Sequence, residues 1–390
     1  MSPTVFFLVA SGIKILVVFT VLMVSVALLT LAERRICAFM QDRLGPNRVG
    51  PFGLLQPAAD GLKNFVKEET YPAQADTWLF VLAPALSFTP ALLTFAVIPF
   101  AAPLATTWGI VPMVVADLPV GFLYILAISS LGVYGIVLAG WSSNNKYALL
   151  GGLRASAQMI SYEIAMGMST VAVLLLAGNV TLSQVITSQQ RGLWNIVPLF
   201  LAFLLFLVSA LAETNRIPFD LPEAEGELIA GYHTEYSSMK FSMFYIAEYS
   251  NMITASALMA TLFFGGWDIP FVHWDASNGL SPLQTLATLA AFLAKTGFFL
   301  FLYIWIRWTL PRFRYDQLMA LGWKVLLPFA LVYLSILATA IWVLHARLGW
   351  DYDRRFAAVL GGLNLVLAVA VFWLADRGRI VSGSMSRKAA

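Results

Sequence analysis

The chain has 390 residues, of which 59% are hydrophobic and only 12% charged, with a formal net charge of +3. A soluble chain is about one quarter charged, whereas here the mean hydropathy is +0.78 and apolar runs reach the ~20 residues that a helix needs to cross a bilayer. The class is an integral membrane protein, and so small a positive balance gives no reason to expect nucleic acid as a partner.

Nine apolar helical spans are expected, at about 5–31, 78–101, 118–140, 162–180, 194–212, 243–266, 283–306, 325–345 and 357–375. The first is no signal peptide, because its charged end, Glu33-Arg34-Arg35, follows the apolar run instead of preceding it. Pro84, Pro90 and Pro99 are expected to kink the second span or end it early. The reading is an all-α polytopic fold with about nine transmembrane helices. It forms a single domain over 1–376, with a first loop at 32–77, an acidic loop at 213–242 and a tail at 377–390.

In the first loop, Leu55, Ala58, Ala59, Leu62, Phe65 and Val66 recur at helical spacing opposite Asp60, Lys63, Asn64 and Lys67. This stretch is too short and too polar to span, so an amphipathic helix lying in the interface is expected. The turn-rich segment before it, "DRLGPNRVGPFG", is no phosphate loop. Walker, nucleophile-elbow and HExxH zinc motifs are also missing from the chain. The single cysteine, Cys37, cannot form an internal disulfide and falls short of the four ligands usual for an iron–sulfur cluster. His233, His273 and His345 lie in or near connecting segments, so no haem, metal or other redox centre is expected.

Lys and Arg set the orientation. Arg34, Arg35, Arg43, Arg48, Lys63, Lys67, Lys146, Arg154, Arg216, Lys240, Arg307, Arg312, Arg314 and Lys324 fall on one side, with Arg377, Arg379, Arg387 and Lys388 of the tail. The positive-inside rule makes that side cytoplasmic, with the N-terminus outside and the C-terminus inside. The acidic stretch "AETNRIPFDLPEAEGELIAGYHTEY" then faces the cytoplasm.

Further charges lie in apolar surroundings. Glu163 opens the fourth span, Glu213 closes the fifth, Glu248 lies early in the sixth and Lys295 sits near the middle of the seventh. A charge at the bilayer centre costs about 2.5–3.5 kcal/mol on insertion scales. Lys295 is therefore a structural ion pair, a snorkelling amine or a functional group. Glu163 and Glu213 are carboxylates at headgroup level or members of a proton relay, since burial and neighbouring cations tune when a carboxylate takes a proton.

Four motifs carry a resemblance. "AERRICAFMQDRLGPNRVGPFGLLQPAADGLKNFVKEE", "AETNRIPFDLPEAEGELIAGYHTEYSSMKFSMFYIAEY", "AGWSSNNKYALLGGLRASAQMISYE" and "RWTLPRFRYDQLMALGWKVLLP" resemble the H-subunit family of NADH-quinone oxidoreductase, the quinone-site membrane component of respiratory complex I. The resemblance covers the chain through the eighth span. It implies a cavity in which a quinone (ubiquinone or menaquinone), entering from the lipid, is reduced by an iron–sulfur cluster of a peripheral subunit. It also implies coupling to proton or sodium translocation in a bacterial inner membrane.

The partners so implied are peripheral-arm iron–sulfur and quinone-site subunits, small membrane subunits and antiporter-like subunits. Glu33, Arg34, Arg35, Arg48, Arg216, Asp220, Glu223, Glu225 and Glu227 match the family's quinone cavity. Glu163, Glu213, Glu235 and Glu248 match its acidic funnel, to which Lys295, within its span, is added as a candidate. Some relatives place a carboxylate where this chain has Ser130. Competing readings are a membrane subunit of a hydrogenase or formate-hydrogen lyase, a self-contained ion transporter, and a passive anchor for a peripheral enzyme.

Overall fold

The computed structural model describes residues 3–107, 109–220, 231–270 and 281–376. In chain order the helices are α1 (Pro3–Met40), α2 (Gln56–Val66), α3 (Thr77–Leu93), α4 (Gly121–Ser142), α5 (Lys146–Ala177) and α6 (Leu182–Arg191). They continue with α7 (Phe200–Glu213), α8 (Ser238–Phe263), α9 (Pro282–Thr309), α10 (Tyr315–Ala320), α11 (Leu327–Trp342) and α12 (Arg354–Asp376). A short antiparallel hairpin, β1 (Leu104–Thr106) with β2 (Gly109–Val111), lies between α3 and α4. Lys14 of α1 donates to the carbonyls of Pro112 and Val114 just beyond it, so this half-buried amine ties the hairpin to the first helix.

Among the described residues, seven helices are long and apolar enough to cross a membrane, and they match the first four and last three expected spans. The other two expected spans differ in form. The fifth becomes α7, only 14 residues long, or about 21 Å against a hydrocarbon core of about 30 Å. The stretch before it is turned, not helical: Asn195 Nδ2 donates to Leu262 O, and Ile196 N to Phe263 O. The sixth becomes α8, which begins at Ser238 and includes Lys240 and Glu248. The helix runs through Pro84 and Pro90 and ends earlier than the expected span, tightening into a 3₁₀ turn at Thr94–Val97 just before Pro99.

Helix α1 has 38 residues, about 57 Å if straight and well beyond the hydrocarbon thickness. Its excess length carries Glu33, Arg34 and Arg35 to the arginine-rich end of the bundle. Helix α2 lies across that end, with Leu62, Phe65 and Val66 exposed. Its Asp60 instead pairs with Arg34 at 2.6 Å, and its Asn64 carbonyl accepts from Ser238 of α8. A polar face turned inward and an apolar face turned outward is the arrangement of a helix in contact with lipid.

The core between the spans is aromatic. Phe203, Phe263, Phe264 and Phe299 meet edge to face where α7, α8 and α9 converge. Close helix approach needs small residues: a Cβ on Gly135 of α4 would come within 2.8 Å of the Ala83 carbonyl of α3. The twelfth helix is tied in by Asn364, which accepts from Tyr333 and donates to Pro198 O.

Candidate functional site

Helix α7 ends because Asn215 takes a left-handed conformation (φ 49°), a turn that asparagine tolerates better than most residues. The loop that follows is held by Gln158 of α5, whose fully buried amide donates to the carbonyls of Ala212 and Phe219 at 2.8 and 2.9 Å. The first charged side chain of that loop is Arg216. It reaches two carboxylates from two helices: Nη1 lies 3.2 Å from Glu33 of α1, and Nε lies 2.8 Å from Glu248 of α8. Arg307, from the last turn of α9, also bonds Glu33. Tyr249 donates to the other Glu33 oxygen at 2.6 Å, while its ring lies 4.5 Å beneath the Arg216 guanidinium. Burial works against the charge on Arg216, but Glu248 and Glu33 outweigh it and push the guanidinium pKa further up. The arginine therefore stays charged.

This cluster forms one wall of a cavity of about 540 Å³, also lined by Arg34, Arg43, Asp220, Tyr245 and Trp308. Asp220 is held by Arg312 at 3.0 Å. Arg216 Nε and Nη2 are both buried and have no hydrogen-bond partner among the described residues, so Nε meets Glu248 as an ion pair only. A second cavity of about 460 Å³ is lined by Met23, Val26 and Ala27 of α1, Pro57 and Gly61 of α2, and Ile246 of α8. Arg34, Tyr245 and Tyr249 line both spaces, so an apolar compartment and a charged one are separated by three side chains. On the other side of Glu248 a third space, of about 40 Å³, brings Glu248 together with Glu213, Ser129, Asn251 and Ser87. Glu163 meets Ser130 across the α4–α5 interface.

The expected site residues thus fall into separate groups. Glu33, Arg34, Arg216 and Asp220 share the large cavity. Glu248 belongs to both that cavity and the small one. Arg35 and Arg48 line none of the three, and the backbone of Arg35 packs under Gly45. Glu235 accepts from Asn145 at 2.7 Å on a surface depression lined by Pro72 and Asn144. Lys295 donates to the carbonyls of Phe264, Gly266 and Asp268 beyond the C-terminal end of α8, and its amine lies 4.2 Å over the Trp194 ring. Glu223, Glu225, Glu227, His273 and the tail 377–390 lie outside the described residues.

Sequence reasoning did not single out Tyr249, Tyr245, Arg307 or Trp308. The available signal was position: Tyr245 and Tyr249 fall on the Glu248 stretch of α8, and Arg307 ends an apolar span. Among the described residues no group of three or more His, Cys, Asp or Glu is placed to hold a metal.

Comparison with known proteins gives a consistent result. The NADH dehydrogenase family matches residues 13–338. The NADH-quinone oxidoreductase H-subunit 1 of Geobacter metallireducens is 54% identical over 334 residues, covering 86% of this chain and 96% of its own length. The corresponding H-subunit of Leptospira biflexa is 50% identical, covering 87% of this chain and 97% of its own. H-subunit 2 of Koribacter versatilis is 49% identical, covering 88% and 99%. With a bundle of membrane-crossing helices and identity of about half along most of its length, the chain belongs to the H-subunit family of NADH-quinone oxidoreductase, a multi-pass membrane component of the respiratory enzyme complex.

Proposed function

We propose that this chain forms the membrane end of a quinone cavity and passes the electrostatic consequence of quinone reduction to a row of buried carboxylates. The observation that carries this reading is Arg216, which hydrogen-bonds Glu33 on the cavity wall and forms an ion pair with Glu248 at the head of the small polar space. One cation is thus shared by the place where a substrate sits and the place where protons leave.

The chemistry of the wall suits a quinone. Its two carbonyl oxygens accept hydrogen bonds, and Arg216 Nη2 is a buried donor without a partner among the described residues. The apolar compartment between α1, α2 and α8 serves as the way in from lipid, with its polar rim at the Arg34–Asp60 pair. Quinol formation takes up two protons, and the negative charge that precedes protonation competes with Glu33 and Glu248 for the Arg216 charge. The space of about 40 Å³ below has room for about three waters at ~10–15 Å³ each, enough to join Glu248 to Glu213. Glu163 continues the row. Glu223, Glu225 and Glu227 belong to the same acidic loop as Asp220 and complete the cavity in this proposal.

Energy is sufficient. A two-electron drop of 30 mV releases about 1.4 kcal/mol, and one charge moved against 100 mV costs about 2.3 kcal/mol. A drop of a few hundred millivolts therefore drives several charges.

In this proposal the arginine-rich end is cytoplasmic, the N-terminus is outside, and the membrane is a bacterial inner membrane. Electrons come from an iron–sulfur subunit docked at that end, and antiporter-like neighbours carry the ions. The test is Glu248→Gln and Glu213→Gln in the assembled complex. Quinone reduction and proton uptake into proteoliposomes should both fall severalfold, with NADH:ferricyanide activity kept. Unchanged proton uptake in both variants rules out the relay.

A further inference from the structure

Ser130 lies beside the carboxylate row and is left unused by the proposed mechanism. It sits on α4 with its hydroxyl against Glu163 Oε1 of α5. The same oxygen also lies 2.8 Å from the carbonyl of Leu126, one turn earlier on its own helix. A serine hydroxyl has one proton to give and lone pairs with which to accept. It cannot donate to both oxygens at once, so the geometry contains two alternatives.

When Glu163 is ionised it can only accept, and the Ser130 proton must point at it. When Glu163 is protonated the direction reverses. The acid donates to Ser130 Oγ, and the serine turns its own proton to the Leu126 carbonyl. Leaving that carbonyl costs little, because Ser129 Oγ also donates to it, at 3.0 Å. No proton is exchanged by the serine in either direction: Glu163 gains or loses one, and Ser130 only rotates the one it has.

We infer that Ser130 is a two-position hydroxyl rotor that holds the Glu163 carboxyl in one place through both its charged and its neutral form. A carboxylate at position 130 would share the proton with Glu163 and repel it when both are ionised. Serine removes that repulsion and keeps a hydrogen bond in each state. Ser130 is thus a positioning residue whose effect passes through Glu163, and the inference rests on the reading of Glu163 as part of the relay.

The experiment uses the complete complex in proteoliposomes with Ser130→Ala, Ser130→Thr, Glu163→Gln and the S130A/E163Q pair. It measures quinone-dependent proton uptake and the redox-induced infrared band of the protonated Glu163 carboxyl, identified by its loss in E163Q. Losing one hydrogen bond to a charged group should slow coupled turnover of S130A by about tenfold. The carboxyl band should move to higher wavenumber, since the neutral acid loses its acceptor. S130T, which keeps the hydroxyl, should restore both, and S130A should add nothing to E163Q. An equal slowing by S130A in the presence and absence of Glu163, or an unmoved band, overturns the rotor. Normal proton uptake in E163Q would instead overturn the relay reading, while the band position would still decide whether Ser130 holds the acid.

Discussion

Arg216 and Lys295 are both cations drawn into the interior, the first buried and the second half-buried, and they are treated in opposite ways. Arg216 is placed among ionisable partners, Glu33 and Glu248, beside a cavity of about 540 Å³. Lys295 is placed among backbone carbonyls, those of Phe264, Gly266 and Asp268, and lines none of the three cavities around the carboxylates. A carbonyl cannot take up a proton, so protonation of the acceptor does not switch these three contacts. The carboxylates around Arg216 can, and in the proposed function a quinone in the adjoining cavity competes for the same donors. Burial of a charge alone therefore does not mark a working group; what its partners can do decides it.

The sharpest way to break this contrast is Arg216→Ala. Removing one partner of a buried ion pair costs about 3–5 kcal/mol because the remaining charge is left uncompensated, and here two carboxylates are left. Quinone reduction should fall by about two orders of magnitude, the kinetic equivalent of the lower end of that cost, with NADH:ferricyanide activity preserved. Arg216→Lys should recover little, because a single ammonium cannot place separate nitrogens beside carboxylates from two helices. Full turnover in R216K would mean that only the charge matters and that the two-carboxylate geometry does not.

Lys295→Met tests the other side. It strands carbonyls beyond the C-terminal end of α8, each worth about 1–3 kcal/mol if left buried and unpaired. The expected result is a smaller yield of assembled complex, with proton uptake per assembled complex unchanged. A normal yield with proton uptake lost would move Lys295 into the relay and erase the distinction from Arg216.

The contrast also separates what could be read from the sequence from what could not. Local properties were legible. The apolar runs, the prolines that shorten α3 and the polar stripe of α2 are all set by neighbours a few residues away. So was the gathering of acids around Asp220. Partnership was not legible, since Glu33 and Arg216 are 183 positions apart and Glu33 and Arg307 are 274 apart; only helix packing brings them together. Lys295 is a relay candidate in the sequence because a charge within an apolar run stands out, while the carbonyls to which it donates leave no mark there. Helix α7 came out shorter than its apolar run because Asn195 ties the preceding residues to the end of α8. Tyr249 was invisible for the opposite reason: a tyrosine in a span is unremarkable until its hydroxyl is found on a carboxylate.

The smallest effect belongs to a third pair at the same end of the bundle, Lys240 with Glu69 at 3.0 Å. Here the cation is buried and the acid is largely exposed, which falls between the two extremes. The Lys240 ammonium 3.0 Å away and a hydrogen bond from Tyr71 hold the Glu69 carboxyl below its usual range. A depressed carboxylate pKa means that the pair's contribution is fully present above the unfolded value of about 4.3 and is lost as pH falls through the lower folded value. Glu69→Gln should therefore lower the melting temperature of the purified complex only slightly at pH 7, in keeping with about 1 kcal/mol or less for an exposed pair. That difference should close as the medium is acidified. No gap at pH 7 would assign the stabilisation to the Tyr71 hydroxyl, which can bond an amide as well as a carboxylate. The Tyr71 and Phe80 rings, 3.5 and 5.5 Å from the Lys240 amine, would then hold the cation whether or not Glu69 is charged.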